Sequence, residues 1–149
     1  MAENLNYDAE NSKCYENKPE NCEKYVRLYD WETAMKSCPS SWHLPSNEEW
    51  KTLVNFAGGR NIAGKKLKAK KGWNEKGNGT DGFGFSALPG GSGYSDDKFS
   101  DVGNYCYWWS SSENDSDDAY FRDMNYNNEF AYWFSISKAG LFSVRCVKD

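Results

Sequence analysis

Apolar residues recur at helical spacing in two short stretches of the chain. Trp31, Ala34, Met35 and Cys38 stand at i, i+3, i+4 and i+7, behind Asp30 as N-cap and ahead of Pro39, which cannot continue a helix. Ser46 and Glu49 then form an S-x-x-E capping box. Trp50, Leu53, Val54 and Ala57 repeat the stripe until Gly58 and Gly59 end it. Both stripes are short and one-sided, so each helix is expected to lie against a sheet. In the last third the period changes. Residues 105–109, 119–124, 130–136 and 141–147 are aromatic and β-branched runs divided by turn residues, which predicts four strands. In the last of these Phe142, Val144 and Cys146 share one face, and Ser143 and Arg145 the other. Cys146 is therefore expected to point inward.

The segments between carry little periodicity. Residues 60–72 are basic, with five lysines between 65 and 71, and read as a solvated helical turn in preference to a polyanion site. Residues 77–103 contain eight glycines with Pro89 and several Ser and Asp, a long loop that Phe83, Phe85, Leu88, Tyr94 and Phe99 are expected to pin to the body. Gly77, Gly79 and Gly82 match G-x-G-x-x-G, but no apolar strand precedes them and no helix follows, which excludes a dinucleotide site.

Composition changes this picture in one respect. Only 38% of the 149 residues are hydrophobic, yet 17% are aromatic. Each ring buries roughly 150–250 Å², so few positions suffice to build one core in one domain. No run approaches the ~18 apolar residues of a membrane span. A net charge of -4 argues against nucleic acid as the main partner. The single histidine, His43, excludes His-rich metal sites and leaves a Ser or Cys nucleophile almost no base. His43 itself is expected to be structural, at a corner between strand and helix.

The five cysteines show no CxxC spacing, which disfavours zinc ribbons and thioredoxin-type sites. Cys14 and Cys22 bracket a short polar loop and suggest a local disulfide clamp. Cys38, on the first stripe, and the inward Cys146 suggest a second bridge, closing a loop of about 100 residues. Disulfides imply an oxidising compartment and hence an extracellular, secreted or surface-anchored protein; five reduced thiols in the cytosol is the alternative. Residues 1–5 have neither the basic nor the apolar region of a leader peptide, so the leader was removed or the chain is a piece of a longer secreted protein.

Residues 104–133 are dense in Asn, Asp, Ser, Tyr and Trp, the composition of adaptable binding surfaces, and one that suits sugars. With Trp108, Phe121 and Phe134 assigned to the core, Asn114, Asp115, Asp117, Tyr120, Arg122, Asn125, Tyr126, Asn127, Asn128 and Tyr132 are expected to line an exposed ligand-binding surface. Glu113, Asp115, Asp117 and Asp118 offer oxygens of the kind calcium prefers, although the glycine and terminal glutamate of an EF-hand are missing. A solvated acidic turn is the alternative. Carboxylates are plentiful, but no spacing singles out a glycosidase pair.

Four ordered motifs carry a resemblance across essentially the whole chain: residues 1–7 (MAENLNY), 38–50 (CPSSWHLPSNEEW), 82–91 (GFGFSALPGG), and 108–113 (WWSSSE) with 141–147 (LFSVRCV). They resemble the Fibrobacter succinogenes major paralogous domain. That resemblance implies a C-type lectin-like fold, related to the formylglycine-generating enzyme and to the variable proteins of diversity-generating retroelements, in which the C-terminal part of the fold carries the ligand contacts. It also implies a strand or hairpin ahead of Met1, and glycine where this chain has Val26, Ser41, Asp97 and Cys106. Where such a site needs positive φ, the substitution costs about 1 kcal/mol or more. Cys106 becomes the odd thiol, with dimerisation or oxidation as its expected consequence. The oxidase chemistry of the formylglycine relatives needs two neighbouring thiols near the C-terminus, and only Cys146 lies downstream of Cys106.

The expectation is a single α+β domain over residues 1–149, with two short helices on a small twisted antiparallel sheet and long irregular loops. Its expected role is non-catalytic binding of a polysaccharide, plant cell-wall material included, or of a protein ligand on a surface. A degenerate oxidase-like or hydrolytic enzyme and a structural spacer in a larger surface protein are the alternatives.

Overall fold

Neighbouring residues of a strand point to opposite faces, and Trp108 and Trp109 use this to seed two separate cores. The computed structural model describes residue 1 and residues 3–149. Trp109 packs with Leu5, Tyr29, Trp31, Ala34, Phe142 and Val144, while Trp108 packs with Trp50, Leu67, Trp73, Cys106 and Met124 on the other side. Each indole N–H finds an acceptor: Trp109 donates to the Tyr29 carbonyl at 2.8 Å, Trp108 to Asn4 Oδ1 at 2.9 Å, Trp31 to the Ser110 carbonyl at 2.8 Å. Buried indoles need such partners, because an unsatisfied donor costs about 1–3 kcal/mol.

In chain order the elements are β1 (Ser12–Lys13), α1 (Pro19–Tyr25), β2 (Leu28–Tyr29), α2 (Trp31–Ser37), β3 (Trp42–His43), α3 (Asn47–Phe56), α4 (Arg60–Leu67), β4 (Ser92–Gly93), β5 (Phe99–Ser100), β6 (Tyr105–Glu113), β7 (Asp118–Asn125), β8 (Tyr132–Ser137) and β9 (Val147–Lys148). Among the described residues the architecture is mixed α/β, with four α-helices and four small antiparallel sheets, none closed. The largest sheet has the order β6-β7-β8, and the others are the pairs β1-β2, β3-β9 and β4-β5.

The two expected helices form where their caps lie. The Asp30 carboxylate accepts the Thr33 N–H at 2.7 Å, and the reciprocal capping box of Ser46 and Glu49 opens α3. Met35 is corrected: it lies on the exposed side of α2. Two further helices form without an apolar stripe. In α1, proline stands in the first turn and the Cys14–Cys22 bridge anchors the helix. In α4, Gly64 lies so close to the Phe130 backbone that a Cβ would sit 2.2 Å from its carbonyl oxygen.

The fourth expected strand is also corrected. Residues 141–146 are all buried, but join no single partner. Leu141 exchanges hydrogen bonds with Gly93, Phe142 with Tyr29, Ser143 bonds to the Tyr107 and Trp109 backbones of β6, and the Val144 carbonyl accepts from Leu5. The segment is a central thread that satisfies its peptide groups on several neighbours, and only Val147–Lys148 pairs as a strand, with β3.

Both expected disulfides are present, Cys14–Cys22 and Cys38–Cys146. Val26, Ser41 and Asp97 do have positive φ, at 68°, 64° and 62°. Cys106 does not, since it lies in β6. Within the glycine-rich loop Phe85 packs on Trp108 with ring centroids 5.6 Å apart, Phe99 on Tyr15 at 5.3 Å, and the partly exposed Phe83 on Phe56 of α3 at 5.0 Å, whereas Tyr94 is exposed. Among the described residues, no helix is long and apolar enough to cross a membrane.

Candidate functional site

The register of the three-stranded sheet decides which side chains meet. Tyr107 stands opposite Asp123, and Asp123 opposite Tyr132; one row along, Trp109, Phe121 and Phe134 are aligned, and on the other side Tyr105 faces Asn125. Towards Trp109 this face is closed by Phe142, which stacks on Tyr107 with centroids 5.0 Å apart. Towards Tyr105 it opens. The opening is a cleft of about 330 Å³ lined by Asp101, Tyr105, Tyr107, Phe121, Asp123 and Phe134.

Its walls are aromatic. Tyr105 and Tyr107 stack at 5.5 Å with rings 3° from parallel, and Tyr132 stacks on Phe134 at 6.0 Å. Phe134, assigned to the core by sequence, is corrected to 54% exposed, because β8 is an edge strand with nothing over that ring. Two carboxylates complete the cleft. Asp101 arrives from the turn before β6, where it holds a positive φ of 70°; its Oδ2 accepts hydrogen bonds from the Tyr107 hydroxyl and from Ser100 Oγ, each at 3.1 Å.

Asp123 comes from the middle of β7 and is 4% exposed. Its Oδ1 is buried and has no hydrogen-bond partner. Burial pushes its carboxyl up to about 6, against the opposing pull of the Arg60 guanidinium. Burial, reinforced by the charges of Asp101 and Asp123, also pushes the Tyr105 and Tyr107 phenols up. The polar groups of the cleft are therefore poised to interact and incompletely satisfied from within.

The residues expected to bind fall mostly elsewhere. Asn114, Asp115 and Asp117 occupy the exposed turn between β6 and β7. There Asp115 Oδ1 accepts the Asp117 and Asp118 N–H groups at 2.9 Å each, and Asn114 Nδ2 donates to Asp115 Oδ2 at 2.9 Å. Lys138 Nζ reaches Glu113 Oε1 at 3.0 Å, the Ser116 carbonyl at 2.8 Å and the Asp115 carbonyl at 3.2 Å. At Glu113, Asp115, Asp117 and Asp118, the residues expected for calcium, the chain's own ammonium holds the turn, and no three acidic, His or Cys groups among the described residues are placed to hold a metal ion.

Arg122 and Asn125 are corrected from exposed to buried. Arg122 is 2% exposed, donates to the Asn47 carbonyl at 3.1 Å and lies over the Trp133 ring, with burial lowering its guanidinium to about 10. Tyr120 is half-buried on the same side of β7, away from the cleft. The loop of Tyr126, Asn127 and Asn128 is fastened by Lys68, whose buried ammonium donates to the Asn125 and Asn128 carbonyls at 2.8 Å each. Of the expected set, only Tyr132 borders the cleft. The rest of the cleft was missed, although the alternation of Tyr105 and Tyr107 with Cys106 and Trp108, and a lone carboxylate at 123 in phase with Phe121, carried the signal.

Cys106 is corrected too. It is 1% exposed, beneath the sheet, and burial pushes its thiol well up. A thiol so placed meets a second chain only where the Trp108 core opens. His43 is structural as expected, its ring nitrogens 2.6 Å from Asp149 Oδ1 and 2.8 Å from Glu49 Oε1.

Comparison with curated proteins and with solved structures gives no match. The model of the Fibrobacter succinogenes major domain matches residues 1–148, and the chain belongs to that family.

Proposed function

We propose that the domain is a non-catalytic, extracellular binding module of C-type lectin-like fold, and that the cleft on the outer face of the three-stranded sheet takes a carbohydrate. One observation carries the reading: a buried carboxylate oxygen of Asp123, without a partner, in an open cleft walled by tyrosines and phenylalanine. Sugars stack their apolar faces on such rings and donate hydroxyls to such carboxylates, and an unmet buried acceptor costs about 1–3 kcal/mol that a ligand donor recovers. The two disulfides support an oxidising, extracellular setting.

Retention of the intact domain on insoluble cell-wall polysaccharides, together with a glycan array, tests the reading. Phe134→Ala and Asp123→Asn are expected to weaken binding about tenfold or more, with Asp115→Asn neutral. A folded domain that binds no glycan overturns it. A hydrolytic reading draws on the same cleft, because two carboxylates share it and Asp123 is held up to about 6, as a general acid requires. Release of reducing ends from the bound polysaccharide, abolished in Asp123→Asn, would favour hydrolysis over binding.

A further inference from the structure

We propose that the cleft selects sugars bearing an ammonium group, amino sugars over their neutral or acetylated counterparts, with Asp123 and Asp101 as the anionic partners. This rests on the cleft being the carbohydrate site.

The charges of the molecule point this way. Six carboxylates elsewhere are matched by Lys or Arg: Asp8 by Arg27, Glu16 by Lys18, Glu48 by Lys51, Asp96 by Lys98, Asp97 by Lys13 and Glu113 by Lys138. Asp101 and Asp123 share one cleft, and among the described residues neither forms an ion pair. Arg60 is the cation whose field reaches Asp123, but its guanidinium is engaged by the rings of Tyr132 at 4.9 Å and Trp133 at 5.1 Å.

The remaining walls add to the same sign. Aromatic faces carry the negative side of a quadrupole and attract cations lying over them. A neutral sugar hydroxyl can satisfy an oxygen of Asp123, yet it leaves the charge of two carboxylates in one cleft unmatched. An ammonium supplies three donors and the opposing charge at once. The open rim, with Phe134 exposed and Tyr132 stacked upon it, leaves room for a ring to lie flat while its substituent reaches the carboxylates.

The test is calorimetric titration at pH 7 and low salt with oligosaccharides of matched length: glucosamine, N-acetylglucosamine and glucose oligomers, and a lysine-rich peptide beside them. The glucosamine oligomer is expected to bind about tenfold or more tightly than the other two sugars, with a preference that shrinks as salt rises. Asp123→Asn is expected to erase the preference, and Asp115→Asn, which removes the same charge from the neighbouring turn, to keep it. Melting curves confirm that each variant folds. Equal binding of the three sugars, or equal loss in Asp115→Asn, overturns the ammonium preference and leaves the carbohydrate reading standing. Binding of no sugar overturns both, and binding of the lysine peptide alone overturns both in favour of a protein partner.

Discussion

Two acidic regions adjoin β7, and they have opposite fates. The turn at 113–118 carries four carboxylates in six residues and is visible at once in the sequence. The cleft has only two, Asp101 in the turn before β6 and Asp123 within β7, and nothing in composition marks them. Yet the turn is internally satisfied, by its own peptide N–H groups and by Lys138, while Asp123 is buried with an oxygen unmet. Density of charge did not leave an acceptor open; lack of a partner did. A solvated carboxylate gains little from a ligand, because water already serves it, whereas a buried one gains what burial has withheld.

The contrast can be broken in several ways. The strongest is to remove the frame both regions share: replacing Cys38 and Cys146 by alanine frees a long loop and is expected to cost up to about 4.7 kcal/mol in urea unfolding, with loss of cleft and turn together. Next is Asp123→Asn. Its carboxyl lies at about 6 in the folded state against ~3.9 unfolded, so the folded state disfavours the ionised form. That penalty is absent below about pH 4, grows as pH rises towards 6 and is complete above. Asp123→Asn is therefore expected to stabilise the domain at pH 7 by about 3 kcal/mol, a gain that vanishes in unfolding curves at pH 4.

Lys138→Met should sharpen the other side. Loss of its three acceptors is expected to lower stability by about 1–2 kcal/mol and to leave cleft binding unchanged in the same titrations. Val26→Gly tests a strain common to neither region: φ 68° with ψ -168° is nearly glycine territory, and a gain of about 1 kcal/mol in thermal unfolding is expected. The smallest effect concerns His43. Hydrogen bonds that its ring donates to the Asp149 and Glu49 carboxylates raise it above the usual value, so its contribution is present at low pH and is lost as pH rises through that raised value. His43→Gln should flatten the pH profile of melting there.

Caps and stripes made α2 and α3 legible, because Asp30 and Ser46 act within three residues of themselves. The disulfides were legible because strand alternation and helical spacing each turned one cysteine inward. By contrast α1 and α4 have no stripe, being held by a bridge and by close backbone approach. Phe121 and Phe134 look alike in sequence, yet one is buried under Phe142 and the other has nothing above it. Arg122 and Lys68 read as solvent residues, but each lies under a neighbouring segment whose carbonyls it satisfies.

The sequence by itself determined the family, two helices, the two sulfur bridges and a core made of rings, since each of these rests on local spacing or on residue identity. Tertiary structure alone decided which rings and which carboxylates stay available. Availability depends on what another part of the chain lays over a side chain, and on whether a distant backbone group or ammonium reaches it first.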